Sequence, residues 1–258
     1  MLGLLLREFK DLMVTTTMAT RCSSHPFHPQ IAKEENGIVT LRLSATTPRR
    51  ARALWSLLAK IKTKGVVVED LDLEYLPTLI EHLGKVEMQA VELNLQGLGG
   101  WEGRLLADFV ERSNSLRVLS LQWNDIGNLG AAALSRALKT NTALLALNLS
   151  HNGIDDQGLG HLCDALAVNR SLKRLNLYWN QITPKGVAQL VHTLNHTGNS
   201  VLSEVDIQVN QITQLEVAQF AQQFARIKLQ RTIFRMRTSR TWKRLPQELV
   251  RLLVSSLI

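Results

Sequence analysis

Residues 116–126 read LRVLSLQWNDI, residues 144–154 read LLALNLSHNGI, and residues 172–182 read LKRLNLYWNQI. The three segments align without a gap, start 28 residues apart and each fit L-x-x-L-x-L-x-x-N-x-I. The agreement continues downstream, where Gly130, Gly158 and Gly186 share a register, as do Leu134, Leu162 and Leu190 and then Leu138, Leu166 and Leu194. A dozen positions recurring at one period mean a stack of like units, none able to bury its apolar face alone. Weaker copies extend the stack. LSEVDIQVNQI starts at Leu202, 30 residues on, because HTGNS (196–200) lengthens the connection. Upstream, AVELNLQGLGG (90–100), VEDLDLEYL (68–76) and IVTLRLSAT (38–46) keep the strand, and Phe234 and Met236 in RTIFRMR (231–237) offer a degenerate last one. The count is seven or eight units.

Each residue type in the motif has a physical task. In L-x-L, leucines alternate with other residues, so a short strand turns one face inward and one outward. Apolar residues at helical spacing follow, such as Leu134, Ala137 and Leu138, and predict a helix lying behind the strand. Asn124, Asn152, Asn180 and Asn210 fall where the chain leaves the strand. Their amides both donate and accept, which suits a ladder bonding the buried backbone of adjacent turns. Strand and helix alternating in this way predict an α/β solenoid, with a parallel inner sheet and outer helices. The motif and its length resemble the leucine-rich repeat of the ribonuclease-inhibitor type, which also builds the repeat domains of NOD-like receptors, Ran GTPase-activating proteins and tropomodulins. That resemblance implies a module that works by holding a protein partner.

Such a partner would meet the outward positions of the sheet. Register places Trp123, His151 and Trp179 at one position of three successive units, with Tyr178 beside the last and Arg174 and Asp206 on the strands nearby. Large aromatics exposed at strand ends are unnecessary for a core and are typical of interface hot spots. Asp70, Asp72 and Glu74 are expected to alternate along one strand as an acidic patch, with Glu92 on the next strand. Residues 1–36 are expected to form an N-terminal capping helix (LGLLLREFKDLM, 2–13) and a Ser/Thr/Pro-rich linker. The repeats would then span 37–229, and residues 230–258 would form a basic capping strand or helix.

The chain has 258 residues and a formal charge of +8. Residues 1–213 carry 21 Lys and Arg against 20 Asp and Glu, whereas residues 214–258 carry nine against two. The basic character therefore belongs to one end, where an outward charged face on a capping element explains it without nucleic acid or a membrane as partner. No stretch approaches the roughly 18 apolar residues of a membrane span. Leu2–Leu6 is too short for a signal peptide and is interrupted at once by charges. Two cysteines, Cys22 and Cys163, exclude a disulfide framework and suit a reducing compartment. The expectation is a cytoplasmic monomer.

Catalytic and metal signals are thin. His192 and His196 share a helical face, but no glutamate follows the first histidine and no third ligand accompanies them. GLGG (97–100) lacks the Lys-Ser/Thr of a phosphate-binding loop. No catalytic residue, metal site or cofactor is expected, and the leading reading is a non-enzymatic adaptor. The alternatives are a GTPase-activating accessory of the Ran type, and a nucleic-acid or membrane adaptor acting through the basic tail.

Overall fold

The computed structural model describes residues 31–35, 38–45, 64–94, 96–197, 199 and 201–237. The chain opens with β1 (Ile31–Glu35) and β2 (Ile38–Ala45), followed by β3 (Gly65–Leu71), a 3-10 turn (Leu73–Tyr75) and α1 (Leu76–Lys85). Strand and helix then alternate: β4 (Ala90–Glu92), α2 (Gly100–Arg112), β5 (Val118–Ser120), α3 (Gly127–Thr140), β6 (Ala146–Asn148) and α4 (Asp156–Val168). The series continues with β7 (Arg174–Asn176), α5 (Pro184–His196), β8 (Glu204–Asp206) and α6 (Gln214–Arg237). Among the described residues, eight strands join one sheet in sequence order. Strands β2 to β8 are parallel, and only β1 runs antiparallel to its neighbour. This is an α/β leucine-rich-repeat solenoid with an open sheet.

Register explains the core. Val91, Leu119, Leu147, Leu175 and Val205 pair across successive strands, one rung per unit. All but Val205 are buried, and the second leucine of each L-x-L (Leu121, Leu149, Leu177) lies beside them. The helices close the other side with Leu106, Leu134, Leu162 and Leu190. At roughly 1.5–3 kcal/mol per buried aliphatic side chain, this single continuous cluster is the main source of stability. The recurrent glycines permit close helix approach: a Cβ on Gly103 would lie 2.9 Å from Gly130 Cα, too near for any side chain.

The asparagine ladder forms as the motif predicts. Asn180 accepts from the N–H groups of Asn152 (3.1 Å) and Ile154 (3.0 Å) and donates to the carbonyls of Leu149 (2.9 Å) and Leu177 (3.0 Å). Asn210 repeats the pattern one unit on, accepting from Asn180 and Ile182 and donating to Leu177 and Ile207. Asn124 does so one unit back from Asn152, with Leu93 and Leu121 as acceptors. Asn152 is fully buried and bonds Ile126, Leu121 and Ser150. A second ladder runs where each helix hands over to the next strand. Asn141, Asn169 and Asn199 each donate to a carbonyl of the helix one unit earlier and to the residue just after that helix, and each accepts two N–H groups of its own turn. Asn199 lies inside HTGNS, so the longer connection keeps the ladder intact.

Three expectations need correction. Asp70, Asp72 and Glu74 do not alternate along a strand. The pairing of β3 with β4 runs through Gly65, Val66 and Val67, and β3 ends at Leu71. The β-branched run Val66–Val68 wins the strand, because such side chains fit a pleated surface better than LDLEY does. Asp72 instead caps the 3-10 turn, its carboxylate accepting from Glu74 N–H at 3.2 Å, and Glu74 lies within that turn. Asp70 is the penultimate residue of β3, and its side chain lies outside the described residues, as does the proposed N-terminal capping helix.

The second correction concerns Phe234 and Met236, which lie in α6 rather than in a strand. Neither Gly nor Pro interrupts residues 214–237, and Phe220, Phe224 and Ile227 bury one face at helical spacing, so the helix simply propagates. The third is at the other end, where residues 31–35 form an edge strand rather than linker. Only Asn36 and Gly37 separate the partners Glu35 and Ile38, and Asn-Gly is the strongest short-range hairpin signal.

Candidate partner-binding surface

Three residues beyond each of β5 to β8, the backbone adopts a left-handed conformation: φ is 59° at Trp123, 55° at His151, 52° at Trp179 and 54° at Val209. Such geometry is rare for bulky or β-branched residues and costs about 1–2 kcal/mol per residue. The surroundings impose it. Each of the first three residues donates its N–H across to the next unit, to the carbonyls of Ser150, Tyr178 and Gln208, all at 3.0 Å. Each is followed at once by a ladder asparagine held on both sides. Because the sheet bonding continues through these positions, their side chains recur at the strand spacing of about 4.8 Å.

The result is a stack of rings. Trp123 and His151 lie parallel at 3.5 Å between centroids, and His151 and Trp179 at 4.8 Å, both pairs at 16°. Tyr178 tilts against His151 at 5.6 Å and against Trp179 at 6.2 Å. The indoles nonetheless remain half exposed, Trp123 by 48% and Trp179 by 51%, and Val209 continues the row with 40% exposed. Among the described residues, no hydrogen bond engages either indole N–H or the Tyr178 hydroxyl. Loss of hydration shifts His151 below its ordinary value, which favours the neutral ring.

The strand positions beside this stripe are more polar. Arg174 is exposed, and Asp206 is half-buried and accepts from Gln208 N–H at 3.0 Å. Asn148 and Asn176 likewise accept from the N–H two residues on. Ser120 and Ser150, outward by simple alternation, are buried because the chain is already turning there. A groove of about 680 Å³ crosses β5–β8 and continues onto α6 between Phe220 and Lys228. The basic residues that begin the tail are partly committed to the repeats: Lys228 donates to Ser203 O at 2.9 Å, and Arg231 donates to Leu194 O at the end of α5.

His192 and His196 stack at 4.2 Å on the exposed side of α5, and no group of three or more potential metal ligands occurs among the described residues. Burial pushes the Cys163 thiol up to about 11, as expected of a packing residue. No helix among the described residues is long and apolar enough to cross a membrane. The residues that sequence reasoning missed are those of the second asparagine ladder and the left-handed positions. The first had a signal in the 28-residue recurrence of Asn141 and Asn169, whereas tryptophan and valine give no sign of a positive φ.

Comparison with known proteins agrees on the repeats. A leucine-rich-repeat family model matches residues 112–135, 140–163 and 168–191, spans that start at the same 28-residue interval as the motif. No curated protein sequence matches the chain. Among solved structures, the chain is similar to leiomodin-1 actin-binding site 2, with a TM-score of 0.49 and 20% identity over 65% of this chain and 95% of that one. It is also similar to the tropomodulin C-terminal domain of Caenorhabditis elegans, with a TM-score of 0.49 and 16% identity over 62% of this chain and 98% of that one.

Proposed function

We propose that this chain is a non-enzymatic protein-interaction module, an adaptor that holds a protein partner on the Trp123–His151–Trp179 stripe. Its repeats are of the ribonuclease-inhibitor type, and it acts as a cytoplasmic monomer. Tyr178 lies within the contact, and Arg174 and Asp206 form its polar edge. One observation carries the reading: two half-exposed tryptophans and a histidine are stacked in register on strained backbone, although the buried leucines already supply the core. Aromatic side chains of this size give large contact area at low entropic cost, which is why they dominate interface energetics.

The commitment of Lys228 and Arg231 to repeat carbonyls favours a cap as the role of the basic end, ahead of nucleic-acid or membrane binding. Ran-type GTPase activation is the rival class, and acceleration of GTP hydrolysis by small GTPases would establish it instead. The decisive experiment is affinity purification with mass spectrometry, comparing the intact chain with Trp123→Ala/Trp179→Ala. Loss of specific proteins from the variant's bound set, with its thermal transition retained, is the expected result. An identical bound set would remove the stripe as the partner site.

A further inference from the structure

The last repeat leaves the β8 side of the sheet unpaired, and we propose that this edge takes an extended segment of a partner protein as an added parallel strand. The segment reads aliphatic-x-aliphatic-x-x-Asn, with basic residues on either side of its first aliphatic position. The edge is a surface separate from the aromatic stripe, and the inference does not rest on the stripe's role.

The first support is a set of backbone donors without acceptors. Two successive units hand the same N–H groups to the unit that follows. Leu149 and His151 donate to the carbonyls of Asn176 and Tyr178 at 2.9 and 3.0 Å, while Asn152 and Ile154 donate to Asn180 Oδ1 at 3.1 and 3.0 Å. One unit on, Leu177 and Trp179 donate to the carbonyls of Asp206 and Gln208, and Asn180 and Ile182 donate to Asn210 Oδ1. The counterparts in the last unit are Ile207, Val209, Asn210 and Ile212, and among the described residues no acceptor meets their N–H groups. Ser203 O, the counterpart of the Lys173 carbonyl that accepts from Ser203 and Glu204, already receives Lys228 Nζ at 2.9 Å. Donors are therefore what the edge has to offer, and a row of them along a sheet edge is the template on which an extended peptide adds.

The second support is apolar surface at the same place. Val205, Ile212 and Val217 are half-buried, whereas their counterparts Leu175, Ile182 and Val187 are buried. The groove of about 680 Å³ runs beside this edge and is walled by Phe220, Phe224 and the exposed Ala221 and Ala225 of α6.

The repeat rule specifies the occupant. Aliphatic residues beside Val205 and two positions later would cover the groove, and the carbonyls one and three positions after the first would accept from Ile207 and Val209. An asparagine five positions after the first would accept from Asn210 and Ile212, as Asn210 itself accepts from Asn180 and Ile182. In parallel register the residues flanking the first aliphatic one lie beside Glu204 and Asp206, so lysine or arginine is favoured there and a carboxylate opposed. No asparagine follows Asn210 in this chain, and β1, IAKEE, lacks the second aliphatic residue. Neither the chain's own end nor the β1 edge of a second copy supplies the pattern, which assigns the segment to another protein.

The test is fluorescence anisotropy of a labelled peptide containing KLKLSGN titrated with the full chain, together with amide hydrogen exchange followed by NMR. Saturable binding is expected, weakened roughly tenfold in KLKLSGA by loss of two hydrogen bonds and at least as much in ELELSGN. Ala221→Arg/Ala225→Arg alters exposed positions of α6, so binding should be lost with the urea midpoint retained, whereas Trp123→Ala/Trp179→Ala should bind normally. The peptide should slow exchange at Ile207, Val209, Asn210 and Ile212 by roughly tenfold or more. Absence of binding, equal affinity for KLKLSGA or ELELSGN, full affinity in the double-arginine variant, or loss in the double-tryptophan variant would each overturn the inference. So would protection of the same amides in the free chain: independent of concentration it assigns the edge to residues 238–258, and dependent on concentration to a second copy.

Discussion

Replacing Asn180 by alanine should cut deeply into stability. The side chain is 7% exposed and satisfies four backbone groups at once, two N–H groups and two carbonyls, at 2.9–3.1 Å. Three of the four belong to the preceding unit, so the loss falls mainly on the junction between units. A buried polar group left without a partner costs about 1–3 kcal/mol, and carbonyls with a second bond suffer less. A total of about 3–4 kcal/mol is therefore expected. Asn176→Ala is the control: that amide accepts one N–H, from Tyr178, and remains partly solvated, so about 0.5–1 kcal/mol is expected. Urea titration followed by circular dichroism measures both, with the midpoint shift read at constant m-value. A loss below about 1 kcal/mol for Asn180→Ala, or one no larger than for Asn176→Ala, would refute the claim that the ladder holds the units together.

Other outcomes follow from equally local features. His151 binds its proton less readily in the folded chain than in the unfolded one, so stability should be full above about 6.5, fall as pH drops below 6.5 and level off once the folded histidine is protonated too. Comparison of melting temperatures at pH 5 and pH 7.5 checks this, and His151→Gln should flatten the difference. In a Cys22→Ser background, the Cys163 thiol, pushed up to about 11 by burial, should resist iodoacetamide at pH 8 and alkylate at once in denaturant. Gly158→Ala should destabilise by about 1–3 kcal/mol, since the added Cβ meets Asn128 Oδ1 and Ile154. Gly84→Ala, in α1 with open space around it, should instead stabilise by about 0.5–1 kcal/mol; urea midpoints of the two should move in opposite directions.

The central units were readable because their side chains answer to a single rule each. Leu119, Leu147 and Leu175 lie at one rung of the sheet, and an asparagine five residues later has a short side chain that both donates and accepts at a buried bend. At the margins the same rules compete. LDLEY fits the leucine spacing of the motif, but Val66–Val68 fits the sheet better, and the strand goes to the valines five residues earlier. IFRMR alternates like a strand, yet it continues a helix with nothing to stop it. The aromatic stripe was legible as a row of equivalent positions. Its stacking was not, because that depends on a left-handed backbone enforced by hydrogen bonds to the next unit, and neither tryptophan nor valine announces such a backbone.

Glycine is the residue that the chain geometry at positions 123, 151, 179 and 209 would choose, and four larger residues stand there. The fold and the surface therefore pull in opposite directions at these sites. Emptying one to glycine would relax the main chain while removing a ring from the stack. A ring at such a position is held there by the neighbouring units against the preference of its own backbone.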